Sequence, residues 1–117
     1  MFNMRGDEMQ KYLENAKVFM AFCDETRLKV LELLRNGEKC ASVLLEQVSV
    51  GQSTLSHHMK ILVESGIVTA RKVHKWTYYS ICDNGRQYVT EMFRQLSTLI
   101  GNEVPETKIS FKKRSSM

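Results

Sequence analysis

The chain has 117 residues, 43% hydrophobic and 26% charged, with a formal net charge of +4 at pH 7. That length suits one domain with a modest core, and the composition is ordinary for a soluble globular protein. No apolar run reaches the roughly 20 residues of a membrane span, and the start MFNMRGDEMQ has no apolar signal segment, so a cytoplasmic protein without a membrane partner is expected.

Met9, Tyr12, Leu13, Ala16, Phe19 and Met20 recur at steps of three and four, which predicts an amphipathic helix over 8–22. Asp24 is placed to cap a second helix, with Leu28, Leu31 and Leu34 as its buried stripe and Asn36-Gly37 as its end. A short third helix is expected over about 40–47, with Val43 and Leu44 turned inward. A loop over 48–51 leads to a fourth helix, about Gln52 to Ser65, closed by Gly66, the residue type a left-handed cap prefers. At 100° per residue, Leu55, Met59 and Leu62 share one face of it, while Ser53, Ser56, His57 and Lys60 share the other. A short helix, a tight Gly-containing connection and a helix with one polar face make a helix-turn-helix pattern.

After Gly66 the period changes. Residues 67–73 and 76–81 are rich in β-branched and aromatic types and flank His74-Lys75, which predicts a two-stranded hairpin. Asp83 is the expected cap of a fifth helix, in which Tyr88, Met92, Phe93, Leu96, Leu99 and Ile100 recur at helical spacing up to Gly101-Asn102. Beyond Pro105 the composition turns polar and basic and reads as a disordered tail. The expected fold class is mainly α with a small β-hairpin: a winged helix-turn-helix of about five helices plus a two-stranded wing. The domain is assigned to residues 1–102 and the tail to 103–117.

The positive charge is localised. Residues 50–80 carry Lys60, Arg71, Lys72 and Lys75 against Glu64, and the tail carries Lys108, Lys112, Lys113 and Arg114 against Glu106. On a folded element such charge forms a patch, and a patch favours a polyanionic partner. Double-stranded DNA is the expected partner. The fourth helix would read bases with Gln52, Ser53, Thr54, Ser56, His57 and Lys60, the small polar residue types letting a backbone come close to base edges. Arg71, Lys72 and Lys75 of the hairpin would meet phosphates or the minor groove. His57 and His58 are adjacent on a helix and point about 100° apart, so they do not chelate one ion easily. His58 lies at the margin of the apolar face and is expected to be packed and hydrogen-bonded, while Trp76, Tyr78 and Tyr79 are expected to pack within the hairpin and core rather than stack on bases.

The first and last helices hold more large apolar side chains than a domain this small buries internally. Met9, Phe19, Met20, Phe93, Leu96 and Ile100 are assigned to a two-fold dimer interface. Such dimers present two recognition helices roughly 34 Å apart and read palindromic half-sites.

Three runs carry a family resemblance. Phe22-Cys23-Asp24-Glu25-Thr26-Arg27-Leu28 through Glu32-Leu33-Leu34, the helix Gln52-Ser53-Thr54-Leu55-Ser56-His57-His58-Met59-Lys60-Ile61-Leu62, and Gly66-Ile67-Val68 with Trp76-Thr77-Tyr78-Tyr79 resemble the ArsR/SmtB winged-helix repressors over about residues 20–100. Glu25 stands where that family usually has proline. The resemblance implies a homodimeric repressor that leaves its operator when an effector binds, a transition metal or metalloid in many members.

On the sensing side the chain departs from the family's better-known patterns. Arsenic- and cadmium-type members have two cysteines one residue apart at the start of the third helix, whereas this chain has Cys40-Ala41-Ser42. Zinc-type members use an Asp, two His and a Glu on the last helix, and residues 83–100 contain no histidine. Cys23, Cys40 and Cys82 are an odd number without CxxC or CxC spacing and read as free thiols. Two readings remain: a thiol switch or unorthodox metal(loid) site that joins Cys40 to Cys23 or Cys82, from the same or the other subunit, and three small buried apolar residues with another effector or none. No resident cofactor is implied; a metal(loid) ion or a thiol modification would be the effector. With no Gly-rich phosphate loop and no paired carboxylates, an enzyme is not expected. The competing function is a winged-helix protein-interaction module that binds no specific DNA.

Overall fold

A computed structural model describes residues 6–101; the expected tail, 103–117, lies outside the described residues. In chain order the elements are α1 (Gly6–Phe22), α2 (Glu25–Leu34), β1 (Lys39–Cys40), α3 (Ala41–Gln47), α4 (Gln52–Glu64), β2 (Val68–Val73), β3 (Trp76–Ile81) and α5 (Asp83–Ile100). The five helices and the hairpin stand where the periodicity puts them. The sheet differs from the expected hairpin by one strand. β1 pairs antiparallel with β3 in the order β1-β3-β2, with Lys39 opposite Tyr79 and Cys40 opposite Tyr78. Two residues are too few to show a period, which is why the sequence hides this strand.

The core is a single cluster that includes Val18 and Ala21 of α1, Val30 and Leu34 of α2, Leu44 of α3, Leu55, Met59 and Leu62 of α4, Val68 of β2 and Met92 of α5. Within α4 the prediction holds at every position: Leu55, Met59 and Leu62 are buried, and Gln52, Ser53, Thr54, Ser56, His57 and Lys60 are exposed. Gly66 follows the helix at φ 86°, the left-handed conformation that Gly adopts without a Cβ clash.

The stripe on α2 needs correction. Arg27, Val30 and Leu34 are its buried residues, while Leu28 is 48% exposed. Leu34 is buried and Leu31 packs against the core as expected, while Arg27 takes the inward place given to Leu28 because its guanidinium finds polar partners inside. Asp24 caps it as expected: its Oδ2 accepts from the amides of Thr26 (2.8 Å) and Arg27 (3.1 Å). On α3, Leu44 is buried but Val43 is 40% exposed, again contrary to expectation. The cap of α5 is Cys82 rather than Asp83, with the Gly85 amide donating to Cys82 Sγ at 3.4 Å.

α1 has two faces that diverge from ordinary amphipathic packing. Val18 and Ala21 are buried, yet Met9, Tyr12, Leu13, Phe19 and Met20 are all exposed large hydrophobics. Part of the apolar surplus is absorbed by α5. Phe19 and Phe93 meet edge-to-face at 5.5 Å, Phe22 lies 6.0 Å from Phe93, and the Tyr88 hydroxyl donates to Asn15 Oδ1. The rest of the stripe points away from the core.

Candidate nucleic-acid interface

The polar face of α4 and the β2–β3 hairpin stand side by side. A groove between them is lined by Gln52 and Ser56 from α4 and by Lys75 and Trp76 from the wing tip. Leu55, Met59 and Leu62 anchor α4 from below, which fixes the outward direction of Ser53, Ser56, His57 and Lys60. The amide-rich start of the helix, with Gln52 to Thr54, opens onto the same side, where amides suit an anion. Every residue assigned to base reading is solvent-exposed, and Ser53, Ser56, His57 and Lys60 share the face opposite the buried stripe.

The wing is a two-residue hairpin, Val73 pairing with Trp76 across His74-Lys75. His74 has φ 56°, an uncommon value for a non-glycine residue, and this carries the reversal without the Asn-Gly that usually marks such turns. Lys72 is exposed on β2, and Lys75 lies at the tip with its Nζ 5.3 Å from the Trp76 ring centre. Trp76 itself is 46% exposed at the hairpin end, against Lys75 and facing the groove beside α4 rather than packed in the core as expected. Tyr78 and Tyr79 are half-buried as expected, and burial pushes the Tyr79 phenol up.

Arg71 is engaged elsewhere. Its Nη2 donates to Glu38 Oε1 at 2.7 Å and its Nε to Glu38 Oε2 at 3.1 Å, a bidentate pair, while the guanidinium lies 4.9 Å from the Tyr78 ring centre. These hydrogen bonds hold the Glu38 carboxyl below its ordinary range. Glu38 is 33 residues away in sequence, and nothing local announces the pairing.

Behind α4 lies a network that the sequence reading missed. Arg27, only 7% exposed, donates from Nη2 to the Met20 carbonyl (2.8 Å) and from Nε to the Ala21 carbonyl (3.3 Å), and its Nη1 is 2.8 Å from His58 Nδ1. His58 Nδ1 also lies 3.7 Å from Asp24 Oδ2. For the Asp24 carboxyl, desolvation raises the pKa, and the amides of Arg27 and Thr26 with the nearby Arg27 guanidinium outweigh it, leaving the value lowered. His58 is thus the packed, hydrogen-bonded histidine expected of it. A signal was available: Arg27 shares the helical stripe of Val30 and Leu34, and a charge on a buried stripe requires partners.

The cysteines sit at three separate junctions: Cys23 between α1 and α2, Cys40 between β1 and α3, and Cys82 between β3 and α5. Cys23 is exposed and the other two are half-buried, so the reading of three buried apolar residues fails at Cys23, which lies on a surface turn. The Ser42 hydroxyl donates to Cys40 Sγ at 3.4 Å. With the amides of Ser42 and Ala41 it holds the Cys40 thiol below its ordinary value, against some desolvation. Among the described residues no three His, Cys, Asp or Glu side chains are grouped so as to hold a metal ion. A soft-metal site needs two to four thiolates or imidazoles, and within one protomer these donors do not supply it.

The sequence profile of the bacterial regulatory protein, arsR family, matches residues 24–70, the span from the α2 cap to the first half of the wing. An HTH-type transcriptional regulator of Methanocaldococcus jannaschii is 39% identical over 89 residues, which are 75% of this chain and the whole of that one. The chain belongs to the ArsR family. Another relative, an arsenical resistance operon repressor of Staphylococcus xylosus, is 37% identical over 74% of this chain and 84% of its own length. Among solved structures, a transcriptional regulatory protein from Mycobacterium bovis superposes with a TM-score of 0.59 at 27% identity, covering 77% of this chain and 92% of that one. The homodimeric winged helix-turn-helix DNA-binding domain of an M. bovis protein, 19% identical, shares the fold with a TM-score of 0.65 over 92% of this chain and all of that one. The profile match includes all of α4, so the ArsR-family assignment and the exposed polar face rest on the same residues.

Proposed function

We propose that this ArsR-family regulator is a homodimeric repressor that reads a palindromic operator with α4 and steadies itself on flanking phosphates with the wing. The observation that carries the reading is the exposed row Ser53, Ser56, His57 and Lys60 on a helix whose opposite face is locked into the core, beside exposed Lys72 and Lys75. In this reading Gln52, Ser53, Thr54, Ser56, His57 and Lys60 contact bases and nearby phosphates, and Lys72 and Lys75 contact phosphate. Arg71 joins them only when it parts from Glu38. The outward apolar side of α1, with Met9, Leu13 and Met20, and the free end of α5, with Leu99 and Ile100, supports a two-fold contact between copies of the chain. No helix among the described residues is long and apolar enough to cross a membrane.

The relatives named for arsenical, cadmium and mercury resistance support an effector that attacks sulfur. The exposed Cys23 and the Cys40 thiol held by Ser42 support a thiol-reactive species as that effector, acting at one of these two residues. Cys82 is occupied in capping α5.

The test is a titration of the purified protein onto the DNA upstream of its own coding region, against random DNA at physiological salt. A repressor should prefer its operator by about a thousandfold or more. Equal affinity for both would favour the interaction module. Release by a thiol reagent should then disappear in the Cys23→Ser or Cys40→Ser protein; release unchanged in both would end the thiol model.

A further inference from the structure

One buried guanidinium joins the three helices that a DNA-reading dimer has to keep in register. Arg27 belongs to the first turn of α2. It donates to the carbonyls of Met20 and Ala21 at the end of α1, and to His58 Nδ1 in the middle of α4. Its own amide is held by the Asp24 cap. A buried cation must be compensated, and here the compensation comes from the electronegative end of α1, the Asp24 carboxylate and one imidazole. Loss of any of these leaves the charge short of a partner, so the three elements are constrained together. His58 stands on α4 between exposed His57 and buried Met59, so its bond ties Arg27 to the turn of α4 that carries the reading face. At the other end, Met20 gives its carbonyl to Arg27 while its side chain stands on the outward apolar side of α1.

We infer that Arg27 is the positioning residue of this protein, setting the angle and depth of α4 from the end of α1 through its bond to His58. The inference rests on the reading of α4 as the DNA-reading helix. Arg27 touches no DNA. Its role is to hold the base-reading side chains at one geometry, so its loss should reduce discrimination between sequences rather than affinity for DNA in general.

The bond also fixes a protonation state. A guanidinium only donates, so His58 Nδ1 accepts and the ring is neutral, with its proton on Nε2. Protonation would replace the acceptor with an N–H aimed at a cation. The charged and titratable groups against His58 are Arg27 and Asp24 from the α2 end and His57, whose ring lies 6.1 Å away. The Asp24 carboxyl is held below its ordinary range, so it remains a carboxylate between about pH 5 and pH 8, where imidazoles change charge. Any positive charge gained on the exposed, DNA-facing surface would strengthen binding to every sequence alike. The readout is therefore the ratio of operator to random-DNA affinity, not affinity alone.

The experiment measures that ratio between about pH 8 and pH 5 for the wild-type protein, Arg27→Lys, His58→Gln and His58→Leu. Circular dichroism and melting of each confirm the fold. The wild-type ratio should fall at least about tenfold on acidification, the scale of one lost base-reading contact. His58→Gln, which can accept through Oε1 and does not titrate, should keep the neutral-pH ratio and lose the pH dependence. His58→Leu and Arg27→Lys should show the reduced ratio at every pH. A merely structural bond would move the melting temperature and leave the ratio untouched, and that result overturns the inference. Equal loss in His58→Gln and His58→Leu overturns it too. If the wild-type protein itself does not discriminate, the repressor reading falls first. The ¹⁵N shifts of His58 then still report whether the ring is the Nε2–H tautomer; an Nδ1–H tautomer refutes the bond directly.

Discussion

Replacing Glu38 with Gln asks whether the wing is held back by its own carboxylate. Both oxygens of Glu38, in the segment just before β1, are engaged by Arg71 of β2 at 2.7 and 3.1 Å, with β3 lying between β1 and β2. A phosphate approaching Arg71 must displace that fork or share it. Each phosphate neutralised by a basic side chain contributes about 0.9 to the negative slope of log affinity against log salt. If Glu38 keeps Arg71 in the complex, Glu38→Gln releases one more contact per subunit. The slope should then steepen by about 0.9 per wing, or roughly threefold to fourfold in affinity per wing for a fourfold change in salt. Fluorescence anisotropy across a salt series, on operator and random DNA, measures this directly; both DNAs should respond alike, because phosphates carry no sequence. Arg71→Ala alone should leave the wild-type slope unchanged. The double variant should return to it, separating a freed guanidinium from the simple loss of a negative charge near DNA. The opposite pattern, a shallower slope in Arg71→Ala and none of the gain in Glu38→Gln, would show that Arg71 already deserts Glu38 for phosphate.

Three further outcomes are expected. Lys75→Ala should lower the same salt slope by about one unit per wing, and an unchanged slope would take the wing tip out of the interface. Gly85→Ala should destabilise by about 1–3 kcal/mol in urea unfolding: a Cβ at Gly85 would run into the backbone carbonyl of Gly66, 2.8 Å from its carbon. An exposed helical glycine would instead gain about 1 kcal/mol from the same change, so the sign alone decides whether α5 packs this closely. Leu13→Glu with Met20→Glu should reduce the mass in sedimentation equilibrium from twice 13.6 kDa to 13.6 kDa; a persisting dimer would move the contact off this side of α1.

The recognition helix was legible because its own residues determine it. Leu55, Met59 and Leu62 fall on one face at 3.6-residue spacing, and once they are buried the polar row must point outward. Elements fixed by distant partners were not. The α2 stripe was misread at Leu28 because the position of Arg27 is decided by carbonyls on α1 and an imidazole on α4, and a hydropathy pattern does not weigh such partners. β1 exists through its register with Tyr78 and Tyr79, and Arg71 has its counter-charge in the segment just before that strand. At the start of α5, Cys82 and Asp83 are adjacent and both able to cap; the geometry gives the Gly85 amide to the sulfur. For α1 the spacing picks out the large apolar residues Met9, Phe19 and Met20, which are exposed as their assignment away from the core requires, but not Val18 and Ala21, the small residues that face the core.

Reactivity and mechanical reach fall on different cysteines. A thiol reacts according to its thiolate fraction and its access. Cys40 has the polarised thiol, held by Ser42, but is half-buried at the edge of the sheet. Cys23 is exposed, and its amide donates to the Met20 carbonyl at 3.1 Å, the same carbonyl that takes Arg27 Nη2. A bulky adduct on Cys23 therefore strains the α1–α2 turn at the atom where Arg27 is anchored, and the strain has a route of two hydrogen bonds to His58 and α4. Cys40 has no comparable bond to α4; its side chain reaches Ser42 on the neighbouring helix α3. Reagent-driven release of DNA is accordingly expected to vanish in Cys23→Ser and to persist in Cys40→Ser, followed by anisotropy with mass spectrometry to count adducts. Release that survives Cys23→Ser while the adduct on Cys40 tracks it would place the trigger at the sheet edge, and the α1–α2 turn would have no part in the signal.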